Sequence, residues 1–475
     1  MMKLSPKFIG LSSVPGAEQR AREPPPPAVL ASRAPQTLMT GRTQSGGSLL
    51  DLLQPLGGLC SVAPVYAPYA DEPAVVTRTV RLGDVGSLWP EIAKRGDAAS
   101  VIHGAGAGLD ADEALVPAVA EALERYSMSV FRKEQFLRAS AAELGAAALD
   151  LDCIPRCSAA ELAHPKCPLT LPDKAQPIRW VRGVSALSGR LAYLPVVMVY
   201  AYAGFAAPAE KFWLVTSSGC AAHTSYERAL LAAIYENIER DAISVVWLQK
   251  LPLPRIEVDC FPAPLADYWQ RHLEASSGFD YLFFDATTDL AVPTVYALQI
   301  SRHNRRAATL VSCATGNSAA GALAKAMRDM AACRIAFRAP REVPKDYDEF
   351  TDVFHGAAFM ARAENAGAFD FLTRGPRAVR LTVMPDALPE SDALPAVLRN
   401  LRRKNMDVWI ADLSTDEAIR AGMRVVRAII PGLQPLSFRY RARFLGHSRL
   451  YAAPRLMGYP VLEESQLNPW PQPFA

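Results

Sequence analysis

The 475-residue chain is short of net charge, of cysteine and of any sustained apolar segment at its start. Its 51 Lys and Arg against 48 Asp and Glu leave +3, too little to mark a nucleic-acid binder. Arg outnumbers Lys, which suits anion contacts without requiring them. Eight cysteines in a chain this long do not make a disulfide scaffold. The opening MMKLSPKFIGLSSVPGA is interrupted by Pro6 and Pro15 and reads as no signal peptide. The long apolar stretch Ser225–Leu248 carries Glu236, Glu239, Arg240 and Asp241 at its middle. Each would cost about 2.5–3.5 kcal/mol in hydrocarbon, which excludes a membrane span. A cytoplasmic protein is expected. Apolar residues make up 50%, enough for one large domain or two intimate ones.

Ser225–Leu248 is instead read as a helix buried in a large core. Glu236, Glu239 and Arg240 share one face, because positions i, i+3 and i+4 are neighbours on a helix. Carboxylates on an apolar stripe are expensive unless paired or bound to a cation. The pattern occurs twice. EALERYSMSVF (Glu121–Phe131) and ENIERDAISVV (Glu236–Val246) align without a gap, matching Glu121 to Glu236, Glu124 to Glu239 and Arg125 to Arg240. Two facing helices presenting four glutamates and two arginines to one site are expected. The alternative is two unrelated amphipathic helices with solvated charges.

Residues 1–47, rich in Pro, Gly, Ser and Arg, read as a disordered tail, and 48–475 as the folded domain. Ala99–Gly108 reads as a strand and glycine turn before the first motif helix. Trp213–Gly219 reads the same way before the second, so strand, glycine turn and helix form a repeated unit. Ile178–Val184, Tyr281–Ala286, Val292–Ile300, Leu310–Asn317 and Val408–Leu413 are further predicted strands. Ala319–Phe337, Leu394–Lys404 and Asp416–Ala428 are predicted helices, the first placing Lys325 and Asp329 one turn apart. Mixed strands, helices and hairpins give an α/β or α+β class.

Two further features carry chemistry. Cys153, Cys157, His164 and Cys167 are four soft ligands in one loop, with zinc as one reading and reduced thiols as the other. The end, Pro469-Trp470-Pro471-Gln472-Pro473-Phe474-Ala475, alternates prolines. That favours an extended segment with little entropy left to lose, suited to docking its α-carboxylate in a pocket.

These stretches together resemble the YcaO family, specifically the cyclodehydratases of thiazole/oxazole-modified peptide biosynthesis. The match lies in Gly106–Ser127, Thr216–Ala242, Ala322–Arg334, Val425–Leu436 and the Pro-x-Pro-x-Pro end. The resemblance implies a YcaO-type fold with an internal pseudo-duplication around one nucleotide site. It implies an ATP-dependent enzyme that activates backbone amides of a ribosomal precursor peptide, converting Cys, Ser or Thr into thiazoline or oxazoline rings. By the same resemblance Glu121, Glu124, Glu236 and Glu239 hold Mg2+, and these with Arg125, Arg240, Lys325, Asp329 and Arg334 bind ATP. Pro469, Pro471, Pro473 and Ala475 lie at the reacting centre. The implied partners are the precursor peptide, a separate ThiF-like leader-binding protein, a flavin-dependent azoline dehydrogenase and a second copy of the chain. The separate partner is expected because little sequence precedes the family region. Several family positions differ: Ala107 replaces Lys, Pro117 replaces Ser, and Arg228 replaces Glu. Lys325, Asp329 and Ala332 stand for Arg, Glu and Gln. The alternatives are a non-catalytic scaffold in the same assembly, or a thioamide- or amidine-forming relative.

Overall fold

Among the described residues, three β-sheets and the helices between them make up the fold. The computed structural model describes residues 48–54, 58–83, 103–263, 265–275, 278–339, 341–375 and 378–474. The predicted N-terminal tail, Ala475 and the first residues of the Ala99–Gly108 segment lie outside these. In the first sheet β3 (Val76–Leu82) pairs antiparallel with β1 (Cys60–Val62), β2 (Val65–Tyr66) and β4 (His103–Gly108). The second runs β12 (Thr309–Thr315), β11 (Thr294–Ser301), β10 (Phe279–Asp285), β9 (Arg255–Glu257), β13 (Ala378–Arg380). The third runs β5 (Leu137–Ala139), β6 (Ile178–Ser185), β14 (Trp409–Asp412), β15 (Arg424–Ile429), β8 (Cys220–His223), with β7 (Leu191–Pro195) on β6. The mixed class expected from the sequence is the one observed.

The longer helices are α1 (Ala111–Ser127), α2 (Tyr226–Leu248), α3 (Leu265–Ala275), α4 (Ala319–Ala336), α5 (Val353–Met360), α6 (Glu390–Arg403) and α7 (Arg449–Leu456). Side chains cap the three that carry the predicted charges: Asp110 accepts from the Asp112 and Glu113 amides, Ser225 from Arg228, Ser318 from Gly321. α2 crosses two cores. Its first half, Ala229 to Ile238, packs with β15 and α6 residues, and its last turns, Ile243 to Leu248, pack with β10–β12. Glu239, Arg240 and Asp241 fall at the seam between them. Among the described residues no helix is long and apolar enough to cross a membrane.

Four local expectations are corrected. The glycines at 104, 106 and 108 form strand β4, not a turn. Their alternate positions face α1, where a Cβ on Gly106 would sit 2.5 Å from the Ala118 nitrogen and one on Gly108 2.7 Å from the Ala114 nitrogen. They let helix and strand touch backbone to backbone. Trp213–Gly219 is no strand; β8 begins after Gly219, which has φ of 82°. The repeated glycine-turn unit is therefore absent, although a strand leads into a capped helix both times. α1 stops at Ser127, so Ser129 and Val130 lie outside the helix while their counterparts Ser244 and Val245 lie inside α2. Asp416–Ala428 splits into a short helix, Asp416–Arg420, and strand β15, because Gly422 turns at φ of 73° and the β-branched Val425 and Val426 continue into the sheet.

Candidate functional site

The predicted carboxylates meet between α1 and α2 and divide by partner. On α1, Glu121 accepts the Ala105 amide of β4 and, at 2.6 Å, Arg125. Arg125 also donates to the His103 carbonyl at 2.6 Å. Both residues thereby cap the open edge of β4. On α2, Glu236 accepts the Gly219 amide at 3.0 Å and Arg240 at 3.2 Å. In both motifs the first glutamate thus holds the segment before its helix, and the arginine four residues on holds the glutamate.

The second glutamates behave differently from each other. Glu239 is buried and accepts from Arg240 at 3.1 Å, Lys325 at 3.1 Å and the Thr315 amide at 3.2 Å. Lys325 continues to Asp329 at 3.0 Å. Burial opposes the charged form of Lys325, yet Asp329 and Glu239 together raise its pKa. Glu124 forms no hydrogen bond or ion pair among the described residues. Burial first, then Glu236 and Glu121, push its carboxyl well above the usual carboxylate range, against the pull of Arg125 and Arg427. An unbroken file of charges therefore runs Asp329, Lys325, Glu239, Arg240, Glu236, with Glu124 and Glu121 across from its end.

Arg427 is the residue that the sequence reading missed. It projects from β15, is only 3% exposed, and donates to the Met198 carbonyl at 3.1 Å. Burial lowers its pKa, opposed by Cys220, Glu236 and Glu124. Its signal was the VVRAII strand pattern, obscured by reading Asp416–Ala428 as one helix. Arg334 is not brought to the site. Its guanidinium donates to Gln299 and to the Ala307 carbonyl and lies 4.4 Å from the Phe279 ring, fastening α4 to the second sheet.

The terminal segment docks. Tyr440 donates to the Pro469 carbonyl at 2.8 Å and the Trp247 indole to that of Trp470 at 3.3 Å. Gly356 of α5 lies directly under the Gln472 carbonyl, where any side chain would collide. Phe474 is buried, its ring edge-on to Tyr296 at 5.3 Å. Tyr296 pairs across the sheet with Cys313, whose thiol is raised first by burial and then by Glu239. Phe474 is thus linked to Glu239 through Tyr296 and Cys313; Ala475 lies outside the described residues.

The cysteine loop converges only in part: Cys157 and Cys167 lie against each other, and Cys153 and His164 point elsewhere. Cys153 donates to Asp150, Cys167 to the Leu169 carbonyl, and His164 faces Asp348 at 3.8 Å. Cys157 is buried beside Glu161, and burial raises its thiol pKa. Among the described residues no three His, Cys, Asp or Glu side chains stand close enough to hold a metal ion unaided.

No curated protein matches the chain. Among solved structures it resembles a heterocyclase in complex with substrate and cofactor, with 22% identity and a TM-score of 0.72 over 90% of this chain and 57% of that one. The chain therefore spans little more than half the length of that relative. It also resembles YcaO from Methanopyrus kandleri bound with AMPPCP and Mg2+, with 16% identity and a TM-score of 0.55 over 78% of this chain and 86% of that one. The E. coli microcin synthetase McbBCD complex matches with 15% identity and a TM-score of 0.57 over 80% of this chain and 90% of that one. At such identities the likeness is one of fold. The model of the YcaO cyclodehydratases, described as ATP- and Mg2+-binding, matches residues 105–434, a span that takes in both motif helices, α4 and β15. On that match, and with the expected charges gathered between α1, α2 and α4, the chain belongs to the YcaO family.

Proposed function

We propose that the chain is an ATP-dependent peptide cyclodehydratase, acting with a separate partner that binds the leader of a precursor peptide. The observation that carries this reading is Glu124. A half-buried carboxylate beside Glu121 and Glu236, with no hydrogen bond of its own, is unfavourable until a cation joins it. Mg2+ suits such a place: it takes one or two carboxylates and completes its shell with water and phosphate oxygens. A complete protein cage is therefore not needed. Glu124 and Glu236 would hold the metal, with Glu121 behind them. Bound Mg–ATP supplies a phosphoryl group that turns an amide oxygen into a leaving group.

The chain's own residues position and neutralise. Arg125 and Arg240 fix the directions of Glu121 and Glu236. Lys325 and Arg240 offset the buried charge of Glu239. In the reaction a Cys, Ser or Thr side chain of the peptide adds to the preceding carbonyl carbon and gives up its proton. That addition closes the ring; the former carbonyl oxygen, once phosphorylated, leaves as phosphate while the amide nitrogen gives up its proton, and the C=N bond of the azoline forms. The docking of Pro469–Phe474 against Tyr440, Trp247 and Tyr296 supports a role for this proline-spaced segment in positioning the reacting groups.

A scaffold role is the second reading, and Glu239 favours it, since three donors from this chain already satisfy that carboxylate. The test incubates a candidate precursor with the chain, its partner and ATP. Loss of one water per ring with ATP consumed supports the enzyme. An unchanged peptide and no ATP hydrolysis would leave the scaffold.

A further inference from the structure

Helix α2 carries a second polar stripe, roughly 100° round from Glu236 and Arg240, at Asn237, Asp241 and Ser244. All three grip the end of β15 and the segment that follows it. The Asn237 side-chain amide donates to the Ala428 carbonyl at 3.1 Å, Asp241 accepts the Gln434 N–H at 2.8 Å, and Ser244 donates to the Pro435 carbonyl at 3.1 Å. Asp241, Ser244 and Gln434 are all buried. The first motif helix offers no such stripe. The aligned positions are Ala122, Tyr126 and Ser129, and Ser129 turns back to the Tyr126 carbonyl at 2.6 Å. The repeat therefore does not account for it. Gln434 is held from its other side as well, its side-chain amide donating to the Arg443 and Phe444 carbonyls at 3.2 Å. The stretch so fixed, 428–436, forms one wall of an open pocket of about 500 Å³, and Asn237 and Arg240 of α2 belong to the same lining.

Arg449 fixes the Asp241 carboxylate in its plane, with Nε 3.0 Å from Oδ1 and Nη2 2.7 Å from Oδ2. A buried ion pair adds little stability over a well-packed apolar pair of similar volume. What this one adds is direction: with the carboxylate clamped, Oδ1 is held on the Gln434 N–H. We propose that Asp241 and Ser244 are positioning residues, which hold the Gln434–Pro435 wall at a set distance from the α2 face that carries Glu236 and Arg240. They act through the wall and not by contact with substrate. Their effect on nucleotide affinity rests on the ATP-dependent reading; the positioning of the wall does not.

The test follows hydrogen–deuterium exchange of the 428–436 stretch in the full chain, with Mg–AMPPCP affinity measured by calorimetry on the same proteins. Asp241→Ala and Ser244→Ala should each speed exchange in this stretch about tenfold and weaken Mg–AMPPCP about tenfold. Asp241→Asn keeps an oxygen for the Gln434 N–H and should recover part of both. Asp289→Asn is the control. Asp289 joins the same ion network through Arg449 at 2.7 Å and makes no hydrogen bond to the wall among the described residues. Its loss should lower the melting temperature and leave exchange and affinity unchanged, which separates positioning from stability alone. Circular dichroism checks folding; should Asp241→Ala fail to fold, Ser244→Ala and Asp241→Asn decide the matter. Unchanged exchange in the folded Asp241 and Ser244 variants overturns the proposal, as does an equal effect from Asp289→Asn. Faster exchange with unaltered affinity, in a protein that does bind Mg–AMPPCP, makes the contacts merely structural and overturns it too. A wild type that binds no Mg–AMPPCP sinks the ATP-dependent reading, and exchange alone then decides whether Asp241 and Ser244 hold the wall.

Discussion

Glu121→Gln and Glu124→Gln change neighbouring turns of one helix and should move stability in opposite directions. Glu121 accepts a strand amide with one oxygen and Arg125 with the other. Gln keeps one acceptor, so one charge-assisted bond is lost, at about 1.5–3 kcal/mol. Glu124 has no such bond, and its folded-state pKa lies above the ordinary 4.5, through burial and then Glu236 and Glu121. Below 4.5 the group is neutral in both states and contributes nothing. Between 4.5 and the raised folded value the native state keeps a proton that the unfolded chain releases, so stability falls as pH rises. Above the folded value the penalty is complete. Each unit of that rise corresponds to about 1.4 kcal/mol. Glu124→Gln removes the penalty, so the metal-free variant should melt higher than the wild type at neutral pH and equal it in acid. It should also bind Mg–ATP about tenfold more weakly or worse, having lost a metal-facing oxygen. Thermal melts across the acid-to-neutral range, with and without Mg2+, read the first effect, and calorimetry reads the second. A Glu124→Gln protein less stable than wild type at neutral pH, or one binding Mg–ATP normally, would refute the reasoning.

Deleting Pro473–Ala475, or appending residues after Ala475, should reduce azoline formation strongly while nucleotide affinity holds, because a displacement of about 1 Å at a reacting centre can cost about a hundredfold in rate; ring formation by mass spectrometry checks it. Phe474→Ala empties a buried site against Tyr296 and should cost about 3–5 kcal/mol of docking, read as faster proteolysis of the terminal segment. Gly106→Ala drives a methyl into the α1 backbone and should prevent soluble expression or lower the melting temperature sharply. Arg449→Met strands Asp241 as a buried charge and leaves Asp289 with Lys404 alone, at 3.0 Å, and should cost about 3–5 kcal/mol in a denaturant titration, whereas replacing Arg449 and Asp241 together with apolar residues should cost much less.

The sequence by itself determined α2 and the faces of its charges, since i, i+3, i+4 spacing follows from helix geometry alone. It also determined the β10–β11–β12 meander, whose β-branched and aromatic runs and turns are local signals, and the stiffness of the proline-spaced end. The pairing of Glu121, Glu124, Glu236 and Glu239 with one another's helices was legible as a repeated pattern, but their division of labour was not. Periodicity says which residues share a face; it does not say what lies opposite. Glu121 became an edge cap because β4 approaches α1 at backbone distance, and Glu124 lies beside Glu236 and Glu121, with Arg125 and Arg427 acting on it only from a distance. Arg334 read as a site residue from its place in a motif, yet one step round the helix it meets Gln299 instead. Arg427 was hidden for the opposite reason: a short helix, a left-handed glycine and a strand share a stretch that local propensity reads as one helix. Only pairing with β8 and β14 settles it as a strand and turns its guanidinium toward the site. The pairing with β8 joins residues some two hundred positions apart, Arg427 opposite Cys220, and its energy belongs to the packed sheet, not to any window of sequence.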